Sequence, residues 1–292
     1  MSLLKREAVT LNIEATEARL LVMNGGRILR WDSIALPNGT LRNGQVAQPA
    51  ELGRALNELF GRRNAARKST VVGLSGQRSL VRILNLPPVE PKLLEETVRR
   101  EARRELPLPI DELYLSWQLL ENGAVPRKQV FTLGIPRETI DTCLVGLRAA
   151  NVQPVAMDLK PLALVRAVNL PDVLIADAEA ATQDVILVRD GVPLIVRSIG
   201  TPPALRTSAE QADALATEIQ RTLDFYQSSM ASGRTPWSPV VCLTGMLGDD
   251  GTLRQKIGAR WPLVQPSLPV TVPADLPLLL YLTNIGLALK KL

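Results

Sequence analysis

Two stretches of this chain repeat one plan of apolar and polar positions. Leu11–Leu36 reads LNIEATEARLLVMNGGRILRWDSIAL, and Ile175–Ile199 reads IADAEAATQDVILVRDGVPLIVRSI. In each, an apolar strand ends at an acid followed by alanine, Glu14-Ala15 and Asp177-Ala178. A second strand then runs to Asn24-Gly25-Gly26 or to Asp190-Gly191, and a third strand leaves the turn. Asn-Gly and Asp-Gly between apolar strands are strong hairpin signals, because both residues tolerate positive φ. Two such meanders, far apart in one chain, predict a duplicated, two-lobed fold.

Between and after the meanders the apolar spacing changes to that of helices. Leu52, Leu56 and Leu59 predict a helix from about Pro49 to Phe60, following the turn-rich stretch PNGTLRNGQV. Ser69–Leu74 and Ser79–Leu84 read as strands, and Leu86-Pro87-Pro88 as a boundary, since the residue before a proline avoids the helical region. Leu94, Val98, Ala102 and Leu106 form a stripe with i, i+4 spacing, started near Pro91 and stopped by Pro107 and Pro109. Glu95/Arg99 and Glu96/Arg100 are expected as i, i+4 pairs on its exposed side. Strands at Glu112–Leu120 and Gln129–Ile135 and a helix near Arg137–Ala150 complete a compact α/β insertion, 86–152. Further on, a strand at Val155–Leu159, a short helix at Pro161–Val168, a long helix at Ser208–Met230, a strand at Val240–Leu243 and a helix at Leu253–Ile257 are expected.

Composition narrows the chemistry. The 292 residues are enough for about two domains. There is no histidine, which removes Ser-His-Asp triads, Cys-His pairs and histidine metal sites together. Aromatics are only 3%, so the core rests on Leu, Val, Ile and Ala. Cys143 and Cys242 are far apart in apolar surroundings and read as small core residues, as in a reducing cytoplasm; no metal site is expected. The N-terminus MSLLKREAVTLNIE lacks a signal peptide's apolar run. The longest apolar stretch, Leu276 to Leu289, has 14 residues where about 20 are needed to span a bilayer, so it is expected as a buried helix. A net charge of +5 suits an anionic partner, but the basic residues are mixed with acids and few aromatics are present to stack bases, so no nucleic-acid partner is expected.

The segment Leu80–Trp117 carries a family resemblance. Arg82 in a strand, Leu86-Pro87, Glu101-Ala102 in a helix and the turn Leu106-Pro107-Leu108-Pro109 resemble the characteristic segment of PilM-type type IV pilus assembly proteins. Asn284-Ile285-Gly286-Leu287-Ala288-Leu289-Lys290 resembles the C-terminal helix of that family, and Arg189–Gly200 its second-lobe hairpin. The resemblance implies an FtsA-like α/β fold: a two-lobed actin-like (sugar kinase/Hsp70/actin) architecture with a 1C-type insertion and a reduced second lobe. Lobe 1A is then 1–85, completed by 153–170 and 276–292; the 1C-like insertion is 86–152; lobe 2A is 171–275, with little or no 2B. It also implies a cytoplasmic protein, peripheral at the inner membrane, that binds the short cytoplasmic tail of a PilN-like single-pass membrane protein, alongside other pilus platform proteins.

In such folds the acid-turn hairpins grip nucleotide phosphate, and here they depart from the family pattern. The first phosphate loop resembles Asp-x-Gly-Ser in the family, where this chain has Asn12-Ile13-Glu14-Ala15-Thr16. The second resembles Asp-x-Gly, where it has Asp177-Ala178-Glu179, followed by Thr182. Alanines at Ala15 and Ala178 and extra carboxylates oppose a triphosphate. The Gly-Gly expected after the second hairpin is Gly200-Thr201-Pro202-Pro203, and only Gly245 and Gly248 keep part of the adenosine-side loop. Asn12, Glu14, Thr16, Asp177, Thr182 and Gly245 are therefore expected to line a vestigial nucleotide cleft, with no cofactor and with ATP and Mg²⁺ disfavoured. A groove for the partner's tail is expected between the insertion and lobe 1A, with Leu86, Leu93, Arg100, Arg104, Val130 and Leu133 as its walls. The expectation is a scaffold and not an enzyme. The alternatives are an ATP-binding or slowly hydrolysing regulator of assembly, and the cytoplasmic domain of a GspL-type secretion protein, which carries a membrane helix after this fold where this chain ends at Leu292.

Overall fold

The structure is a computed structural model that describes residues 7–120, 128–201, 207–231 and 236–291. Pro202 and Pro203, and the start of the N-terminal segment, lie outside the described residues. Contacts divide the chain into two compact units. One comprises Met1–Gln77 with Val145–Leu292, the other Arg78–Leu144.

The first unit holds two sheets built on one plan. Its first meander is β1 (Ala8–Ile13), β2 (Glu17–Asn24) and β3 (Arg27–Ala35). A two-residue ribbon, β4 (Leu41–Arg42) and β5 (Gln45–Val46), precedes helix α1 (Pro49–Arg63) and strand β6 (Lys68–Leu74). With β10 (Gln153–Leu159) these make a five-stranded sheet of order β10-β6-β1-β2-β3, in which the meander is antiparallel and β1, β6 and β10 run parallel. Helix α4 (Lys160–Val168) leads into the second meander, β11 (Val173–Ala178), β12 (Thr182–Arg189) and β13 (Val192–Gly200). Helix α5 (Ser208–Ser229), strand β14 (Val241–Thr244), helix α6 (Gly251–Gly258) and helix α7 (Leu278–Ala288) complete the unit. The second sheet has the order β13-β12-β11-β14, again an antiparallel meander with a parallel strand beside its first member. Among the described residues no further strand lies between β13 and β14, so the second sheet is smaller than the first.

Strands β1, β2, β11 and β12 are buried almost throughout, because both faces of each sheet are covered. Helix α1 packs against β2 and β3, and α5 against β11 and β12. Helices α4 and α7 pack on each other, and each touches strands of both sheets. One apolar cluster therefore joins Leu21, Met23 and Ile28 of the first sheet to Val173, Ile175 and Ile186 of the second, through Leu164 and Ala167 of α4 and Leu282 and Ile285 of α7. Gly286 permits this crossing: a Cβ there would lie 1.8 Å from the Ala163 carbonyl oxygen. The apolar stretch near the C-terminus is thus a buried helix, and among the described residues no helix is long and apolar enough to cross a membrane.

The second unit is an antiparallel sheet of order β7-β9-β8, with β7 at Leu80–Leu86, β8 at Leu113–Leu120 and β9 at Lys128–Pro136. Helix α2 (Leu94–Glu105) follows a 3-10 turn at Pro91–Leu93 and packs on β7 through the expected stripe, with Val98, Ala102 and Leu106 buried beside Leu84, Leu113 and Val130. Glu95 and Arg99 pair at 3.2 Å, whereas Arg100 lies 3.7 Å from Glu101. The unit's boundaries fall at 78 and 144, where the sequence places them at 86 and 152. Strand β7 belongs to the insertion because β9 is its partner, and helix α3 (Arg137–Ala149) begins in one unit and ends in the other.

Candidate functional site

The two meanders meet their turns in the same way. The N–H of Glu14 donates to the carbonyl of Glu17 at 2.8 Å, and the N–H of Glu179 donates to that of Thr182 at 2.9 Å. Register fixes the equivalence. Asn12 opposes Arg19 and pairs beside Gly73, while Asp177 opposes Asp184 and pairs beside Thr244. Asn12 is therefore the counterpart of Asp177, and Glu14 that of Glu179. The acid-alanine matching of Glu14-Ala15 with Asp177-Ala178 is displaced by two residues. By register Glu14 matches Glu179, and Ala15 matches Ala180 and not Ala178.

Both glutamates are buried, and the turns bring them into a cluster of charge. Lys160, the first residue of α4 and 1% exposed, places its Nζ 3.2 Å from Glu14 Oε1, 3.0 Å from Asp177 Oδ2 and 2.7 Å from Asp184 Oδ2. Arg19 forks onto Glu179 with two bonds of 2.6 and 2.7 Å and donates to the Leu280 carbonyl at 3.1 Å. Asn12 Nδ2 donates to Glu14 at 3.0 Å, Thr244 Oγ1 donates to Asp177 at 2.7 Å, and Ser198 Oγ donates to Asp184. Asn284 on α7 donates to the Arg19 carbonyl at 2.9 Å, so the apolar helix also carries a polar anchor.

Four buried acids (Glu14, Asp177, Glu179, Asp184) thus face two buried cations (Lys160, Arg19). The imbalance shifts their protonation. Burial, then the charge of Glu14, pushes the Glu179 carboxyl up to about 7 against the pull of Arg19. Burial and Asp177 also raise Asp184, while Lys160 and Ser198 oppose them. Burial by itself would lower the Lys160 ammonium, yet Asp177, Asp184 and Glu14 hold it well above its ordinary value. Lys160 is held as a cation, and the crowding of buried negative charge raises the carboxyls of Glu179 and Asp184.

Of the expected cleft residues, Asn12, Glu14 and Asp177 are in this cluster. Gly245 lies against it at φ +85, where a Cβ would sit 2.7 Å from the Ala178 oxygen and 2.9 Å from Asp177 Oδ1. Thr182 is buried, with its hydroxyl unpartnered, as is Asn12 Oδ1. Thr16 is exposed at its turn and stands outside the cluster. The sequence reading left Lys160, Arg19, Asp184, Ser198 and Thr244 out of the cleft. A lone lysine followed by the apolar run of α4 was the available signal, since an interior cation requires a partner.

The turn N–H groups of Glu14 and Glu179 donate within their own turns, both glutamate side chains are buried, and the ammonium of Lys160 stands among the carboxylates. Among the described residues no group of three or more His, Cys, Asp or Glu is arranged to hold a metal ion.

Comparison with known proteins places this arrangement. The family described as Type IV pilus assembly protein PilM matches residues 12–191. The chain belongs to that family. A chain of a solved PilM-PilN type IV pilus biogenesis complex is 26% identical, with 98% of each chain covered and a TM-score of 0.79. The cytoplasmic domain of EpsL, an inner-membrane component of the Vibrio cholerae type II secretion system, is 12% identical, with 98% of this chain and 97% of that one covered and a TM-score of 0.58. A Bacteroides thetaiotaomicron protein with an actin-like ATPase fold is 13% identical, with 98% and 97% covered and a TM-score of 0.51. The last two share the fold alone. No curated protein matches the chain. The fold is the actin-like one.

The candidate partner residues of this PilM-family chain divide by burial. Leu86 and Val130 are fully buried in the sheet-helix core of the second unit, so as placed they pack that core and do not present a wall to a peptide. Leu133 is half-buried. Leu93 is exposed, as are Arg100 and Arg104 on α2. The stripe of α2 that reads as apolar in sequence packs against its own sheet.

Proposed function

We propose that the protein is a non-catalytic scaffold of a type IV pilus assembly platform at the inner membrane, and that it binds the short cytoplasmic tail of a PilN-like single-pass membrane protein. The observation that carries this reading is the likeness to the PilM-PilN complex over 98% of both chains. In this reading the chain works on the cytoplasmic side and is peripheral to the membrane, held there by its partner. The exposed Leu93, and Arg100 and Arg104 further along α2, are the contributions of the second unit to tail capture. Apolar anchors and main-chain hydrogen bonds supply most of the affinity of an extended peptide. The reading as a slow ATPase is weaker, because the buried cluster offers an ammonium and glutamates where a triphosphate needs open N–H groups. The reading as a secretion-platform domain rests on a likeness of 12% identity.

The test is capture of a PilN-like tail peptide by the immobilised full chain, read by fluorescence anisotropy. Saturable binding that weakens in Leu93→Asp supports the scaffold. No binding at the highest soluble peptide concentration overturns it.

A further inference from the structure

We infer that the ammonium of Lys160 is a built-in counter-ion that pins the two sheets of the first unit together, so that the protein neither takes up a Mg²⁺-nucleotide between them nor opens and closes with one. This goes beyond the scaffold reading, which holds whether or not the sheets move.

Three features carry it. First, Lys160 reaches acids of both meanders at once: Glu14 at the end of β1, Asp177 in β11 and Asp184 in β12. A cation in the first turn of a helix is opposed by the helix dipole. Its position is set by the three carboxylates and not by α4. Second, Arg19 on β2 repeats the device from the other side, with a two-bond fork onto Glu179 of the second turn. Each meander therefore supplies an acid to a cation, and both cations are interior. Third, the backbone beside the cluster is closely packed across the two sheets. A Cβ at Gly76, just past β6, would lie 1.9 Å from Ser198 Oγ on β13 and 3.0 Å from Pro161 Cγ on α4. The turn at Gly245 is tied on one side to the Leu279 carbonyl at 3.1 Å, and Leu247 N–H is tied to the Ala178 carbonyl at 2.9 Å. A nucleotide-driven opening would have to break two buried cation-carboxylate contacts without water to receive the charges. A soluble cation can leave with its ligand, whereas an ammonium fixed to the chain cannot.

The experiment uses the full chain. Isothermal titration with ATP and with ADP, each with and without Mg²⁺, is expected to show no binding up to about 1 mM. Hydrogen exchange over 12–19 and 177–184 is expected to be unchanged by either nucleotide. Low-micromolar binding, or protection of those segments by Mg²⁺-ATP, overturns the inference. Lys160→Met is expected to lower the melting temperature by about 10 °C. Adding Asp184→Asn to it is expected to recover part of that loss, since fewer unpaired acids remain. A packing role alone would give no such recovery, and a Lys160→Met melting point within about 2 °C of the parent overturns the pin. If Lys160→Met fails to fold, the nucleotide titration and exchange on the parent decide. Tail capture measured on the same preparation keeps this separate from the scaffold reading: a chain that captures the tail and also binds ATP sinks the pin alone.

Discussion

The two meanders of the first unit have one backbone and two charge patterns. Both place positive φ at the two central residues of the hairpin turn, Gly25 and Gly26 in one, Asp190 and Gly191 in the other. Both close their first turn with the same hydrogen bond, at 2.8 and 2.9 Å. Yet where the first carries Asn12 and Arg19, beside Gly73 of β6, the second carries Asp177 and Asp184, beside Thr244 of β14. Hairpin geometry and apolar burial keep the backbone in register, and they place few demands on the polar residues at the strand ends. Those ends face one another across the seam. There the first copy supplies an arginine and one acid, Glu14, the second supplies three acids, and the complement is finished by Lys160. A repeat diverges most usefully where its halves touch.

The largest test of this comparison removes the charge at two equivalent positions, Arg19 and Asp184. Arg19→Met leaves Glu179 buried without its partner and is expected to cost about 3–5 kcal/mol in urea denaturation. Asp184→Asn removes one charge from an acid-rich cluster in which Lys160 keeps Glu14 and Asp177, and is expected to cost no more than about 1 kcal/mol. Equal costs would break the asymmetry.

A smaller effect is expected at the glycines beside the two turns. Gly245→Ala meets positive φ and a backbone oxygen at 2.7 Å, and is expected to lose about 2–3 kcal/mol by thermal unfolding. Gly73→Ala meets the ends of the Asn12 and Leu287 side chains at 3.0 Å, and about 1 kcal/mol is expected there. The reverse ranking would show that the first turn, not the second, is the tighter.

Proton uptake sharpens the comparison further. Glu179 titrates near 7 in the folded protein, raised by burial and by Glu14, against about 4.5 when unfolded. A raised folded value means that the native state holds the proton more tightly. The penalty is absent below pH 4.5, grows as pH rises, and is complete above 7. From this group the protein is expected to lose about 1–3 kcal/mol between pH 5 and pH 8. Glu179→Gln is expected to flatten that slope, measured by chemical denaturation at several pH values. A slope unchanged by the substitution would assign the proton to another acid of the cluster.

The smallest effect concerns exposed charge. Arg104 pairs with Glu101 at 3.3 Å in solvent, where such pairs contribute about 0.2–1 kcal/mol. Arg104→Glu is expected to weaken tail binding by no more than a few fold, read by anisotropy at low and high salt. A loss of a hundredfold would mean that Arg104 is desolvated in the complex.

The sequence by itself determined the elements and their duplication. The two hairpin turns, the proline-bounded helix α2, the buried C-terminal helix and the absence of histidine chemistry all rest on local rules: positive φ at Gly, fixed φ at Pro, and the spacing of leucines. The resemblance carried by Leu80–Trp117 also stood in the sequence. Tertiary structure decided what local pattern leaves open. It set the true pairing of Glu14 with Glu179, because equivalence between strands is a matter of register and not of neighbouring letters. It moved β7 into the insertion, because a strand belongs with the partner that takes its hydrogen bonds. It turned Leu86 and Val130 inward. It gave Lys160 its place among three carboxylates, Glu14 far before it in the chain and Asp177 and Asp184 after it. Charge interactions act across space, and no spacing of residues along the sequence records which acids a folded chain will bring to one ammonium.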